Sequence, residues 1–366
     1  MRVVHVAPAA FGVDGLFGGG ERYPLALARA LARHPGIDCE LVTFGRSPGV
    51  RSESSGLRIR VLRPLAHWRR HPAHPLSPAL VPAVRSADLV HTHHFRSSPS
   101  RVAALAVATT LRSAAVVTTD HGLGGDGSRG LLPRLFDRFL TVSRYSAATL
   151  RAPPAKTRIV YGGADPFEFR PGPADERAGV LFVGRLTPHK GVDRLLRALP
   201  IDAELTIAGT AGHDRRRPER DYPEHLRRLA VGRRVRFHGP VAEGALPVLH
   251  RRAAVFVLPS VDRTCYGRPV AISELLGLSV LEAMASATPI VASRIGGVPE
   301  VVDDGETGFL VEPGDVGALH DRIATLLSDR GLARRLGDNA RAAVSARFTW
   351  DACARRCLAA YRELVT

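Results

Sequence analysis

Short apolar runs alternate with stretches whose apolar residues recur three and four apart, along the whole chain. Arg2–Pro8, Asp38–Phe44, Leu57–Leu62 and Ala114–Thr119 read as buried strands, and Ala87-Asp-Leu-Val-His ends another at His91. Between them, Glu21–Arg33 sets Leu25, Ala28, Leu31 and Ala32 on one helical face, and Arg101–Leu111 is helical. Leu131–Leu140 pairs apolar residues at 131/132, 135/136 and 139/140, which predicts a helix. Glycine and proline then crowd Tyr161-Gly-Gly-Ala-Asp-Pro and Arg170-Pro-Gly-Pro-Ala, a linker. Beyond it the alternation restarts, with strands at Gly179–Val183, Glu204–Ala208, Val235–His238, Ala254–Leu258 and Ile290–Ser293. Helices are predicted at Val192–Leu199, Ser279–Ala287, Val316–Leu327 and Trp350–Leu364. Such alternation predicts parallel α/β sheets. Two runs of it predict two domains, with ligands at the carboxyl ends of the strands in the cleft between them.

Composition agrees with an enzyme. The 366 residues, 45% hydrophobic and 23% charged, suffice for two cores and exclude a disordered chain. Four cysteines exclude a disulfide scaffold, and Cys353 and Cys357, four apart on the last helix, read as packing residues. Pro8, Gly12 and Asp14 interrupt any leader, and no apolar run approaches the ~20 residues of a membrane span. A cytoplasmic protein is therefore expected.

The net charge of +16 is uneven. Residues 1–165 carry 22 Lys+Arg against 10 Asp+Glu, and residues 166–366 carry 29 against 25. An Arg-written solvated surface accounts for most of this, since Lys156 and Lys190 are the sole lysines. The tight run Arg215–Arg217 sits beside Pro218 in a predicted loop. No nucleic-acid motif or aromatic stacking series accompanies the charge, so no nucleic-acid partner is expected. The basic half suits an acidic acceptor or peripheral contact with an anionic membrane on its inner face.

The strongest chemical signal is Pro259-Ser260 followed by Glu274-Leu-Leu-Gly-Leu-Ser-Val-Leu-Glu282. Gly277 turns the chain into a helix whose N-terminus, with Leu278 and Ser279, offers an anion site. Carboxylates beside such a site accept hydrogen bonds from sugar hydroxyls. The bland reading is a capping box in which Glu282 ties back to Ser279. A second signal, Val183-Gly184-Arg185-Leu-Thr-Pro-His-Lys190-Gly191, puts Arg185 and Lys190 where they can clamp a diphosphate, or on a solvated loop. A third, Gly18-Gly19-Gly20-Glu21, lets a ligand approach the backbone and the first helix N-terminus. A fourth, Thr119-Asp120-His121-Gly122, sets a histidine at a strand end, cleft-facing or buried against a carbonyl. His91-Thr-His93-His94 has no carboxylate or cysteine at ligand spacing, so no metal is expected.

In order and spacing these segments resemble the retaining glycosyltransferases of family GT4, and the resemblance covers essentially the whole chain. Tyr161-Gly-Gly-Ala-Asp-Pro, Ile295-Gly-Gly-Val-Pro-Glu300, Gly305-Glu-Thr-Gly-Phe-Leu and Phe348-Thr-Trp350 are similar to segments of that family, although Gly162 stands where Asn is usual. The resemblance implies the GT-B fold: two Rossmann-like domains facing a central cleft, with a last helix returning to the first domain. It implies an acceptor domain at 1–168, a nucleotide-sugar domain at 169–348 and the returning helix at 349–366.

The roles it implies are as follows. Glu282 accepts from the ribose. Glu274 and the amides near Gly277, Leu278 and Ser279 hold the transferred hexose. Arg185 and Lys190 hold the diphosphate, and Gly19 and Gly20 reach the same phosphates. His121 lies near the reacting carbon. It implies transfer with retention, UDP more than GDP as the donor base, and neither metal nor cofactor. The acceptor stays open between a small natural product and a phosphorylated or lipid-linked sugar. The insert Val261–Ser273, with Arg263, Cys265, Tyr266 and Arg268, departs from the family's spacing. A GT-B epimerase or phosphorylase, a basic nucleic-acid-binding protein and a non-catalytic relative are the alternatives.

Overall fold

The computed structural model describes residues 1–10, 13, 18–68, 71, 73–110, 114–122, 131–211 and 219–365. The chain divides into two compact units, one of Met1–Gly162 with Trp350–Thr366 and one of Gly163–Thr349.

The first unit runs β1 (Arg2–Val6), α1 (Gly19–Ala32), β2 (Asp38–Phe44), β3 (Gly49–Ser52), β4 (Arg58–Leu62), β5 (Ala66–His67), β6 (Pro75–Leu76), α2 (Leu80–Val84), β7 (Leu89–His93), α3 (Ser98–Thr109), β8 (Ala115–Thr119), β9 (Arg138–Thr141), α4 (Arg144–Leu150) and β10 (Thr157–Ile159). Its main sheet has the order β10-β9-β8-β7-β1-β2-β4-β3. All neighbours are parallel except β3, which runs antiparallel beside β4 at the edge. Every residue of β7 is buried, as expected of a central parallel strand covered on both faces. Val4, Val6, Val42, Val90, Val116, Phe95, Phe136 and Phe139 belong to one core.

The second unit runs β11 (Ala178–Val183), α5 (Val192–Ala198), β12 (Leu205–Ala208), α6 (Tyr222–Leu229), β13 (Val235–Gly239), α7 (Leu246–Arg252), β14 (Ala253–Leu258), α8 (Leu278–Ala285), β15 (Ile290–Ser293), β16 (Phe309–Val311), α9 (Val316–Ser328) and α10 (Arg330–Arg347). Its sheet, β13-β12-β11-β14-β15-β16, is wholly parallel. Among the parallel strands of each sheet the order reverses once, at β1/β7 and at β11/β14, and at such switch points loops part to leave a crevice.

The last helix, α11 (Trp350–Arg362), belongs to the first unit. Trp350 packs edge-on against Tyr23 of α1 at 5.2 Å, and the Tyr361 hydroxyl lies 2.7 Å from His91 Nδ1. Cys353 and Cys357 are buried on that helix and free of disulfides.

Several sequence expectations are corrected. Leu131–Leu140 is not one helix: a 3-10 turn spans Leu132–Leu135 and β9 follows. All four residues of β9 are buried, so its apolar run is that of an interior strand, which a short window cannot tell from a buried helix. The first unit ends at Gly162, whereas the sequence boundary falls after 168. The intervening segment is held by the second unit, since Ala164 N donates to Phe348 O at 2.9 Å and Arg341 reaches the Pro166 carbonyl. The edge strand β3, the small pair β5/β6, and α4, β10, α6, α7, β16 and α10 were not read from the sequence. The Arg215–Arg217 run lies outside the described residues.

Candidate active site

In the second unit the candidate residues converge on the β11/β14 switch point. Val183 ends β11, and Gly184, Arg185 and a 3-10 turn over Pro188–Lys190 follow it. Gly191 has φ +65, and a Cβ there would sit 1.9 Å from the Pro259 carbonyl oxygen. Only glycine lets the two loops pack this closely. Val261 N also donates to His189 O at 3.0 Å, so the loops after β11 and β14 are joined through their backbones.

That junction aims three side chains at one point. Ser260 Oγ donates to Glu274 Oε1 at 2.7 Å, and Lys190 Nζ donates to the same oxygen. Glu274 is 6% exposed. Burial alone would raise its pKa. The Lys190 charge, the Lys190 and Ser260 hydrogen bonds and the His189 charge outweigh this and hold the carboxyl below its usual range. Behind Glu274 the Ile295-Gly-Gly segment packs on its backbone. Gly297 N donates to Glu274 O at 2.9 Å, and a Cβ on Gly296, where φ is +61, would lie 2.0 Å from that oxygen. His189 is driven down to about 4 by burial first, then by Lys190 and Arg185.

Gly277, with φ +89, turns the chain into α8, and no side chain caps the helix. The capping-box reading is thereby overturned. Ser279 is the second helical residue rather than the cap, and Glu282 lies one full turn in. Glu282 is 4% exposed on a helix otherwise lined with Val280, Leu281, Ala283, Met284 and Ala285. His250 Nε2 lies 3.6 Å from its Oε2. A carboxylate placed in such a setting needs a strong reason, because burial of charge is expensive. Arg185 is exposed, and its guanidinium makes no hydrogen bond or ion pair among the described residues.

The insert Val261–Ser273 folds on itself. Thr264 N donates to Arg268 O at 2.9 Å and Val270 N to Asp262 O at 2.7 Å, while Tyr266 packs 6.4 Å from Tyr222 of α6. The Ser260–Glu274 bond closes its ends.

In the first unit the candidates gather at the β1/β7 switch point. Gly19 and Gly20 open α1, and a Cβ on Gly20 would lie 3.4 Å from His94 and 3.6 Å from His121. His121, half-buried after β8, shares its surroundings with Tyr23 at 4.7 Å and His94 at 5.0 Å between ring centres. His121 Nε2 lies 3.1 Å from His93 Nδ1, and His93 Nε2 lies 3.0 Å from His5 Nδ1. Burial pushes the His5 imidazole down to about 3. It lowers His91, His93 and His121 well below their usual value, with smaller contributions from their neighbouring imidazoles. His5, His91 and His93 offer nitrogens within 4.8 Å of one another, a grouping able to hold a metal that the sequence reading did not foresee. His91 spends both nitrogens elsewhere, on the Tyr361 hydroxyl at 2.7 Å and Thr119 Oγ1 at 2.8 Å.

Sequence reasoning therefore missed His5, Ser260's bond to Glu274, His189 and His250. His5 was visible as a polar residue inside an apolar strand, paired in register with His91. His250 gave no such signal, because α7 itself went unread.

Known proteins fall in with this geometry. The model of the family described as glycosyl transferases group 1 matches residues 165–343, and that of glycosyltransferase family 4 matches 17–167. An uncharacterized glycosyltransferase of Methanocaldococcus jannaschii is 27% identical over 92% of both chains. The GDP-mannose-dependent alpha-(1-6)-phosphatidylinositol monomannoside mannosyltransferase of Mycobacterium tuberculosis is 36% identical over 59% of this chain and 58% of its own length. The D-inositol 3-phosphate glycosyltransferase of Kribbella flavida is 36% identical over 58% of this chain and 52% of its own. The matched stretch thus spans little more than half of each of these two relatives. Among solved structures, sucrose-phosphate synthase from Thermosynechococcus elongatus superposes with a TM-score of 0.74 at 27% identity, covering 100% of this chain and 99% of that one. Anabaena HepE in complex with UDP-glucose superposes at 0.76 with 21% identity over 100% of both chains, which bears on the fold. No helix among the described residues is long and apolar enough to cross a membrane. With two consecutive family models spanning 17–343 and two parallel α/β units, the chain belongs to the GT4 glycosyltransferases and has the GT-B fold.

Proposed function

We propose that this glycosyltransferase moves a hexose from a nucleoside diphosphate sugar to a phosphorylated or lipid-linked acceptor, with retention and without a metal. The observation that carries the donor assignment is the shared carboxylate oxygen of Glu274, met by Lys190 and Ser260 beside the uncapped start of α8. Helix-start amides and cations suit phosphate oxygens, and carboxylates suit sugar hydroxyls.

In this reading Glu282 accepts from the ribose hydroxyls. Glu274 and the amides near Gly277, Leu278 and Ser279 hold the hexose. Arg185 and Lys190 neutralise the diphosphate as charge develops on it. Gly19 and Gly20 bring backbone amides to phosphate, and His121 meets the transferred sugar. The bond from the anomeric carbon to the leaving phosphate oxygen breaks as the bond to the acceptor oxygen forms on the same face. The acceptor's proton passes to the leaving phosphate, so no protein nucleophile is required.

UDP is the base expected from the sequence. The mycobacterial relative named for GDP-mannose makes GDP the second base to titrate. The relatives named for inositol phosphate and phosphatidylinositol, with the basic first half, support an acceptor that carries phosphate.

Calorimetric titration of UDP and GDP into metal-free protein tests the donor. Saturable binding of one of them at or below ~100 μM supports the assignment, and binding of neither removes it. Product formation from donor alone would favour an epimerase, and a requirement for free phosphate would favour a phosphorylase. The anomeric coupling of the first-formed product decides retention.

A further inference from the structure

Three imidazoles of the first unit form a hydrogen-bonded row that ends at His121. His5 Nδ1 meets His93 Nε2 at 3.0 Å, and His93 Nδ1 meets His121 Nε2 at 3.1 Å. His5 and His93 are fully buried. His5 Nε2 is buried and makes no hydrogen bond among the described residues. No described residue bonds His121 Nδ1 either, and that atom is not among the buried ones.

A neutral imidazole has one N–H and one lone pair, and the bond made by one nitrogen dictates the state of the other. Burial among other imidazoles keeps all three rings neutral. An orphaned buried N–H is rarer than an orphaned acceptor, so the unbonded His5 Nε2 is the lone pair and the His5 proton sits on Nδ1. His5 then donates to His93 Nε2. His93 must carry its own proton on Nδ1 and donate it to His121 Nε2. The only place left for the His121 proton is Nδ1.

We infer that His5 and His93 are positioning residues that fix His121 as an N–H donor at Nδ1. This rests on the glycosyltransferase reading, in which His121 meets the transferred sugar. A fixed donor there recognises a sugar hydroxyl oxygen or a phosphate oxygen. It does not remove the acceptor's proton, which leaves that task to the departing phosphate. His91 stands outside the row. Its ring stacks on His93 at 4.5 Å, but Tyr361 and Thr119 occupy its nitrogens.

The test is the long-range proton–nitrogen spectrum of the full chain labelled with nitrogen-15 histidine, with and without His5→Phe. The wild-type spectrum is expected to show His121 protonated at Nδ1. His5→Phe keeps the volume but removes the donor, so His93 and His121 become mixtures of tautomers. Turnover is expected to fall about tenfold, the worth of one oriented hydrogen bond, while the donor KM changes by less than about twofold. His5→Asn, whose amide nitrogen reaches as far as Nδ1, restores both. A role in packing alone would make His5→Phe the milder change.

The inference is overturned by a His121 protonated at Nε2, or by a His121 signal indifferent to His5→Phe. It is equally overturned by a stoichiometric metal whose removal shifts the His5 and His93 signals. The wild-type spectrum decides the tautomer even if the variant does not fold. If no nucleotide sugar is turned over, the glycosyltransferase reading fails and the spectrum still judges the row.

Discussion

Glu274 in the second unit and His5 in the first are both buried titratable groups, and their surroundings treat them oppositely. Glu274 keeps its charge because Lys190 and Ser260 meet one of its oxygens. His5 gives its charge up, because burial strips its water away and its polar partner is the imidazole of His93 rather than a counter-charge. A ligand entering the second unit meets preorganised charge. One reaching the first meets a neutral donor whose direction is set from behind. The lesson is that desolvation selects neutrality unless a counter-charge is built into the same loop.

The largest break in this comparison is Lys190→Ala. It leaves the Glu274 carboxylate buried without its cation, which is expected to cost about 3–5 kcal/mol of stability. Turnover should fall at least about 100-fold with the loss of charge at the leaving phosphate. Denaturant midpoints and kcat at neutral pH check both. The double variant Lys190→Met with Glu274→Gln should recover much of the stability and none of the activity. A Lys190→Ala protein of full stability would show that the pair does not hold the loops together.

Acid separates the two units next. The His5 pKa is lowered from 6.5 to about 3 in the folded chain, so below pH 6.5 the unfolded state takes up a proton that the folded state refuses. Stability therefore falls as pH drops from 6.5 toward 3, by about 2 kcal/mol at pH 5 for this one histidine. The Glu274 contribution has a lower window. Its folded pKa is depressed from 4.5, so the stabilisation is present above 4.5 and is lost as pH falls through the folded value. His189, lowered to about 4, is the second unit's histidine of this kind, against His5, His91, His93 and His121 in the first. Between pH 7 and 5, amide protection factors, corrected for the pH dependence of intrinsic exchange, should fall more in β1 and β7 than in β11 and β14, and His5→Asn should shrink the difference. An equal fall in both sheets would mean that the imidazoles are not held neutral.

How much of this the sequence disclosed depends on what carried the signal. The strands β1, β2, β4, β7, β8 and β11 to β15 stood out where β-branched and aliphatic runs were bounded by glycine, proline or charge. β9 did not, because Phe139 and Leu140 continue an apolar pattern begun in the turn before them. α10 went unread although Ala333, Leu336, Ala340 and Val344 are buried at helical spacing. Its arginines mask a stripe in which small Ala333, Gly337 and Ala340 outnumber the larger Leu336 and Val344. Glu274, Glu282, Arg185 and Lys190 were legible because local spacing presents them. The His5–His93–His121 row was not, since it joins β1, β7 and the segment after β8, whose neighbourhood only the folded sheet sets. The capping box showed the converse: a local pattern at Ser279 and Glu282 that Gly277 overrides by capping the helix two residues earlier.

Glu282→Gln sharpens the contrast within the second unit. Without a capping bond to lose, the variant should fold as well as the parent. Its nucleotide affinity should drop about tenfold, near 1.5 kcal/mol, because an amide accepts from the ribose less strongly than a carboxylate. Calorimetry with the preferred nucleotide measures this. Unchanged affinity would return Glu282 to the role of a partner for His250.

Arg185→Ala is expected to do least, and its salt dependence makes it informative. The guanidinium is exposed and unbonded among the described residues, so its removal should leave stability within about 0.5 kcal/mol. Lys190 is different, being held by Glu274 before any ligand arrives. An exposed cation facing a diphosphate is worth about 1 kcal/mol, and salt screens it. Arg185→Ala should therefore weaken nucleotide binding about fivefold at low ionic strength and hardly at all near 1 M salt, where the Debye length is about 3 Å. The Lys190→Ala loss should persist at both, because a half-buried ammonium beside a buried carboxylate is little screened. If the two variants instead lose affinity in parallel with salt, Lys190 is no more enclosed in solution than Arg185, and the contrast between the second unit's prepaired charge and its free one collapses.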